Sequence, residues 1–156
     1  MLTVRRSPPR EEATRLPARG RPVLLATIEV PFDEAAAAFA VDCAVECGQG
    51  LVVVNLHEIP LGPLCIQMGY GSLEPSEEEA ANLRAPAELA HALGVEIERL
   101  RIMSPHPIAA LLQLVGERRP GLLVFGPDRT RLKPRRYRRA VKRIEAASPC
   151  LVWFPP

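Results

Sequence analysis

The sequence predicts an α/β domain: an open, mainly parallel sheet of five strands with helices on both faces. Five short apolar runs alternate with four stretches of helical periodicity. Most of these runs are apolar throughout, as strands covered on both faces are. A length of 156 residues, with 47% hydrophobic and 24% charged residues, suits one domain with a proper core.

The elements follow in order. RPVLLATIEV (21–30) is rich in branched residues and bounded by Pro22 and Pro31, which makes a buried strand. DEAAAAFAVDCAVECG opens with acids after Pro31 and closes at Gly48, the pattern of a helix. GLVVVNLHEI (50–59) is a second strand, and PLGPLCIQMGYGSLEPS (60–76) reads as an extended loop. SEEEAANLRAPAELAHALG (76–94) has Ser76 as N-cap, Glu79 three residues on and Gly94 as its stop. Pro86 within that pattern is expected to kink or divide the helix. VEIERLRI (95–102) alternates apolar and charged residues, as a strand with one exposed face does. PIAALLQLVGERR (107–119) is a helix with Pro at its first position. GLLVFG (121–126) is a buried strand, RRYRRAVKRIEAA (135–147) a helix and PCLVWF (149–154) the last strand. The ends of the first, second and fourth strands then share one rim, around Thr27–Val30, His57–Ile59 and Gly126 onward.

Residues 1–20 hold three Pro and five Arg and no apolar core, so they read as a flexible arm before a domain spanning 21–156. No stretch approaches a membrane span. With no sign of secretion, a cytoplasmic protein with reduced thiols is expected. Cys43 and Cys47 lie four apart, but their apolar surroundings favour core packing over a metal site. Of the histidines, only His57 falls on the rim; His106 precedes a helix and suits a capping or loop role. No nucleophile elbow, Walker pattern or carboxylate pair is present, so no catalytic residue is assigned.

The net charge of +2 conceals a polarised layout. GPDRTRLKPRRYRRAVKR (126–143) contains nine cations against Asp128, a net of +8, so the rest of the chain sums to −6. On the predicted helix, Tyr137, Ala140, Val141, Ile144 and Ala147 form one apolar face. Arg135, Arg136, Arg138, Arg139, Lys142 and Arg143 occupy the others, with Glu145 as the lone acid. Two readings stay open: a solvated polar face, or a surface for an anion. Cations at a helix N-terminus oppose the macrodipole, and so favour the second.

In order and spacing, VLLATIE, VVVNLHEI, GVEIERL, HPIAALLQLV, GLLVFGPDR and the closing PCLV resemble the universal stress proteins. The resemblance covers residues 21–154. It implies a flavodoxin- or Rossmann-like sheet of the adenine nucleotide alpha hydrolase type, usually in homodimers paired through the last strand, here 149–154. It also implies, for many members, ATP binding through an Asp ending the first strand and a phosphate-cradling pattern. That pattern is Gly, two residues, Gly, nine residues, then Gly followed by Ser or Thr. Carried over, Ile28 stands at the Asp position, with Glu29 adjacent but expected to point the other way along a strand. Gly126 matches the first glycine, Arg129 falls on the second, and Arg139–Ala140 on the final pair. Glu58 stands where a valine typically follows LH.

The reading is a degenerate member: a non-enzymatic stress-related binding or regulatory module that has lost ATP and needs no cofactor. The alternatives are an anion- or nucleic-acid-binding protein using 129–143, or a nucleotide binder with an arginine-based site. The last leaves room for weak nucleotide hydrolysis. The anion-site candidates are Gly126, Arg129, Arg131, Lys133, Arg135, Arg136 and Arg139. A third possible counterpart for the cations is the acidic stretch Glu77–Glu79, within a dimer or on another protein.

Overall fold

The computed structural model describes residues 20–60 and 76–156. The expected arm (residues 1–19) and most of the expected loop (61–75), with Cys65, lie outside the described residues. Five strands, β1 (Val23–Ile28), β2 (Leu51–Glu58), β3 (Ile97–Ser104), β4 (Leu122–Phe125) and β5 (Leu151–Trp153), form one sheet. Four helices connect them: α1 (Glu34–Cys47), α2 (Glu77–Ala92), α3 (Pro107–Arg118) and α4 (Pro134–Ala147). The expected α/β architecture is therefore present. All four strand pairings are parallel, in the order β3-β2-β1-β4-β5. This is the Rossmann order; the flavodoxin order would place β1 next to β3.

Strand alternation sends side chains to two cores. Leu24, Ala26 and Ile28 of β1 join Val52, Val54 and Leu56 of β2 beneath α3 and α4. Val23 and Leu25 join Leu51 and Val53 beneath α1 and α2. The alanine-rich α1 seats closely on its core through Ala36, Ala40 and Ala44, and Phe39 stacks on Trp153 of β5 at 4.2 Å. α1 starts where Asp33 accepts the Ala36 N–H at 2.9 Å and stops at Gly48, whose φ of 63° suits a residue lacking Cβ.

Three expectations need correction. Pro86 does not divide α2, which runs unbroken through it. Pro86 is buried on the packed face, so tertiary contacts offset the hydrogen bond that its missing N–H forfeits. Cys47 is exposed at the end of α1 rather than in the core, while Cys43 is half-buried. β3 does not have a single exposed face: its charges fall on both sides, with Arg99 exposed, Glu98 paired with Arg118 of α3 at 2.6 Å and Arg101 paired with Glu79 of α2 at 3.2 Å. Where a helix covers an edge strand, pairing offsets the cost of half-burying a charge.

Candidate functional site

The carboxyl ends of β1, β2 and β4 meet on one rim, where the sheet order reverses around β1. Ligands of doubly wound folds bind in the crevice outside such a switch point.

β1 ends with Ile28 fully inside the core, so nothing polar occupies that position. The chain then turns: Glu29 adopts φ 57°, and the Thr27 hydroxyl donates to the Val30 carbonyl at 2.8 Å to hold the turn. A left-handed backbone at a residue other than glycine costs about 1–2 kcal/mol and needs compensation from its surroundings. Here Glu29 accepts the Glu58 N–H at 3.1 Å and meets Arg136. The expectation that Glu29 points away from the Ile28 face is therefore wrong. It lies past the strand end, where alternation no longer applies, and its carboxylate reaches α4 on that same side.

Arg136 ties the rim together. One guanidinium nitrogen binds Glu29 and the other binds Glu58, each at 2.5 Å. The fork geometry of arginine suits a bridge between two carboxylates. Glu58 thus serves as a partner for this arginine at the rim.

The segment after β4 was the expected phosphate element. Gly126 is buried, and a Cβ built there would lie 2.1 Å from the Ala36 Cβ. Its N–H donates to the Ala26 carbonyl, and its own carbonyl accepts the Asp33 N–H at 2.9 Å. The absence of a side chain lets α1 approach the sheet. Beyond it the loop binds itself. The Asp128 N–H donates to the Pro31 carbonyl, while the Arg131 and Leu132 N–H groups both donate to the Asp128 carbonyl. The Asp128 carboxylate accepts the Thr130 N–H at 2.9 Å and the Thr130 hydroxyl at 2.6 Å. These bonds hold the Asp128 carboxyl below the usual carboxylate range. Leu132 anchors the loop in the core. The carboxylate of Asp128 therefore takes an amide that a phosphate cradle would offer its ligand.

α4 then begins early. It opens at Pro134, with Lys133 as an N-cap that makes no side-chain cap. Arg139 and Ala140, at the final Gly-Ser/Thr positions, fall inside the helix, with Ala140 buried. A helix terminus that could receive an anion does not occur there.

The remaining candidates divide into two groups. Arg129 lies over the Tyr137 ring, 4.8 Å from its centre, and reaches the Pro156 carbonyl at 3.4 Å. Burial pushes the Tyr137 phenol upward, against the pull of Arg129. Arg131 pairs with Glu78 of α2 at 2.8 Å, so part of the basic segment does meet the acidic stretch, but within one chain. Lys133, Arg135 and Arg139 are exposed and make no ion pair among the described residues. A cleft of about 530 Å³ opens beside Arg129, lined also by Asp33, Asp128, Tyr137, Arg138 and Pro156.

On the opposite face of the rim stand His57, which the sequence placed there, and Asn55, which sequence reasoning passed over. Asn55 is buried on β2, in register with Thr27 and Arg101, and its Oδ1 has no hydrogen-bond partner. His57 is also buried, with Nε2 3.8 Å from Glu79, beyond hydrogen-bond range. Burial lowers its pKa most, Arg101 adds to this, and Glu79 and Glu29 act against it. The period-two pattern of VVVNLHEI carried the signal, since Asn55 and His57 share one face. No cluster of three metal-ligating side chains occurs among the described residues, and no helix is long and apolar enough to cross a membrane. His106 occupies the N-cap of α3 without a side-chain cap.

Rim, strand order and helix placement define a parallel, doubly wound α/β domain. More narrowly, the fold is that of the universal stress proteins. The chain is similar to the universal stress protein of Archaeoglobus fulgidus in complex with dAMP, at 18% identity and a TM-score of 0.59, over 86% of this chain and 96% of that one. It is similar to a universal stress family protein from Burkholderia pseudomallei, at 16% identity and 0.62, over 90% and 99%. A third is the UspA protein of Lactobacillus plantarum, at 14% identity and 0.63, over 88% and 99%. No protein-family model matches the sequence, and no curated protein is similar at the sequence level.

Proposed function

We propose that this chain is a universal-stress-protein-type binding module, cytoplasmic and non-enzymatic, that does not take ATP through a glycine cradle. The supporting observation is the closed loop after β4, where Asp128 and the loop carbonyls accept the amide hydrogens. A triphosphate would have to displace a carboxylate bonded to both the N–H and the hydroxyl of Thr130, and would meet its negative charge. The bridge from Arg136 to Glu29 and Glu58 supports the same reading, because it fills the rim with an internal ion network. Pairing of two copies through 149–154 belongs to the proposal as well; β5 is an edge strand with Leu151 76% exposed.

A second reading is favoured by the cleft beside Arg129 and Arg138, since the Archaeoglobus fulgidus protein is in complex with dAMP. In it, arginine side chains hold the phosphate of a nucleotide. Calorimetric titration with ATP, AMP, adenosine and inorganic tripolyphosphate separates the two. The first reading expects ATP to bind no more tightly than tripolyphosphate, with any heat lost as salt is raised from about 50 to 200 mM. Salt-resistant binding that requires adenine would overturn it and establish the second.

A further inference from the structure

The basic segment is two structures, and only one is spoken for. Arg129, Arg131 and Arg136 are engaged with Tyr137, Glu78, Glu29 and Glu58. Arg135, Arg138, Arg139, Lys142 and Arg143 on α4 make no ion pair among the described residues. All but Lys142 and Arg143 fall within the first six residues of the helix. Arg135, Arg139, Lys142 and Arg143 follow i, i+4, i+7 and i+8, so they form one stripe. Glu145 is the only acid on α4.

This arrangement weakens the isolated fold. Like charges one turn apart repel, and cations in the first turn oppose the positive end of the helix dipole. The helix keeps its place through its buried face of Tyr137, Ala140 and Ile144, which is independent of the cations. The free face is therefore not required for packing.

We infer that the exposed face of α4 is a docking surface for the phosphate backbone of duplex nucleic acid. Charge complementarity limits the partner to an anion extended over the whole stripe. From Arg135 to Arg143 the helix rises about 12 Å, at about 1.5 Å per residue. One strand of a duplex presents a phosphate about every 3.4 Å along the axis, so three or four fall within that length. Four of the five free cations are arginines, whose planar forks engage phosphate oxygens in pairs. No aromatic residue is exposed among the described residues, which leaves nothing for single-strand bases to stack on. The apolar side of α4 is committed to the core, so it has no face to insert into a lipid surface. Contacts of this kind position the protein without reading base sequence.

The test is fluorescence anisotropy with two labelled duplexes of about 20 base pairs and unrelated sequence. With three or four phosphates neutralised, affinity should fall about 40- to 150-fold between about 50 and 200 mM salt, alike for both duplexes. The triple variant Arg135→Glu, Arg139→Glu, Arg143→Glu should lose binding, whereas Arg136→Gln should retain it. Circular dichroism should show the triple variant folded, since all three positions are exposed and a glutamate at position 135 suits the helix N-terminus. Absence of duplex binding at the lower salt overturns the proposal whether or not that variant folds. So does retained binding by the folded triple variant, or equal competition by vesicles carrying phosphatidylserine at matched charge. ATP titration of the triple variant keeps this result apart from the fate of the closed loop, because none of its three side chains is hydrogen-bonded or ion-paired to that loop.

Discussion

Replacing Gly126 by alanine tests whether this glycine serves packing or a ligand. The added Cβ would lie 2.1 Å from the Ala36 Cβ and 3.6 Å from its Cα. Carbon atoms pack at about 3.5–4.0 Å, so roughly 1.4 Å or more must be found. Neither atom is the tip of a flexible side chain, so α1 must move as a body, away from a loop fastened by the Asp33 N–H bond to the Gly126 carbonyl. Overpacking of this kind costs about 1–3 kcal/mol, which for a chain this size lowers Tm by roughly 2–10 °C. The decisive comparison is a double-mutant cycle with Ala36→Gly, followed by urea unfolding. Alone, Ala36→Gly should cost about 1 kcal/mol through helix propensity and lost packing. Together, the two changes should cost less than their sum, because the nearest remaining atom, the Ala36 Cα, sits at ordinary contact distance. Additive costs, or a Gly126→Ala penalty below about 0.5 kcal/mol, would refute the packing role.

Arg136→Gln should leave Glu29 and Glu58 without their shared cation. All three side chains are partly exposed, so the expected loss is small, about 0.5–2 kcal/mol, and should shrink as salt is raised in urea melts. An unchanged midpoint at low salt would remove the network as a support of the rim. His57 yields a pH prediction. Its folded pKa lies below the ordinary imidazole value of 6.5, so above 6.5 both states are neutral and stability is undiminished. As pH falls below 6.5 the unfolded chain takes up a proton first, and stability declines through the window down to the folded pKa, by at most about 1.4 kcal/mol per pH unit. His57→Gln should flatten that decline in thermal melts; an identical slope in the variant would rule it out.

Much of the fold was legible because its causes are local. The valine run of β2, Asp33 and Gly48 around α1, and Ser76 before α2 each act within a few residues. That Pro86 leaves α2 undivided was not legible, for the complementary reason: proline weakens an isolated helix, and burial on the packed face offsets that. Cys47 was misjudged because apolar neighbours in sequence surround a position that falls on the outer side of α1. The site was legible only in composition. Gly126 stood out, yet nothing in the sequence pointed to Ala36 as the reason. The acids that meet Arg136 lie 107 and 78 residues away, and no spacing rule joins residues so distant.

The sequence by itself determined the elements, the two-sided parallel sheet and the concentration of cations after β4, since periodicity, caps and charge are properties of neighbouring residues. Tertiary structure alone decided which cations are spent and which are free. The turn at Glu29, the early start of α4 and the Asp128 bond to Thr130 close the rim and leave one arginine face outside it. Electrostatic pairing depends on distance in space, and that distance is set by the fold.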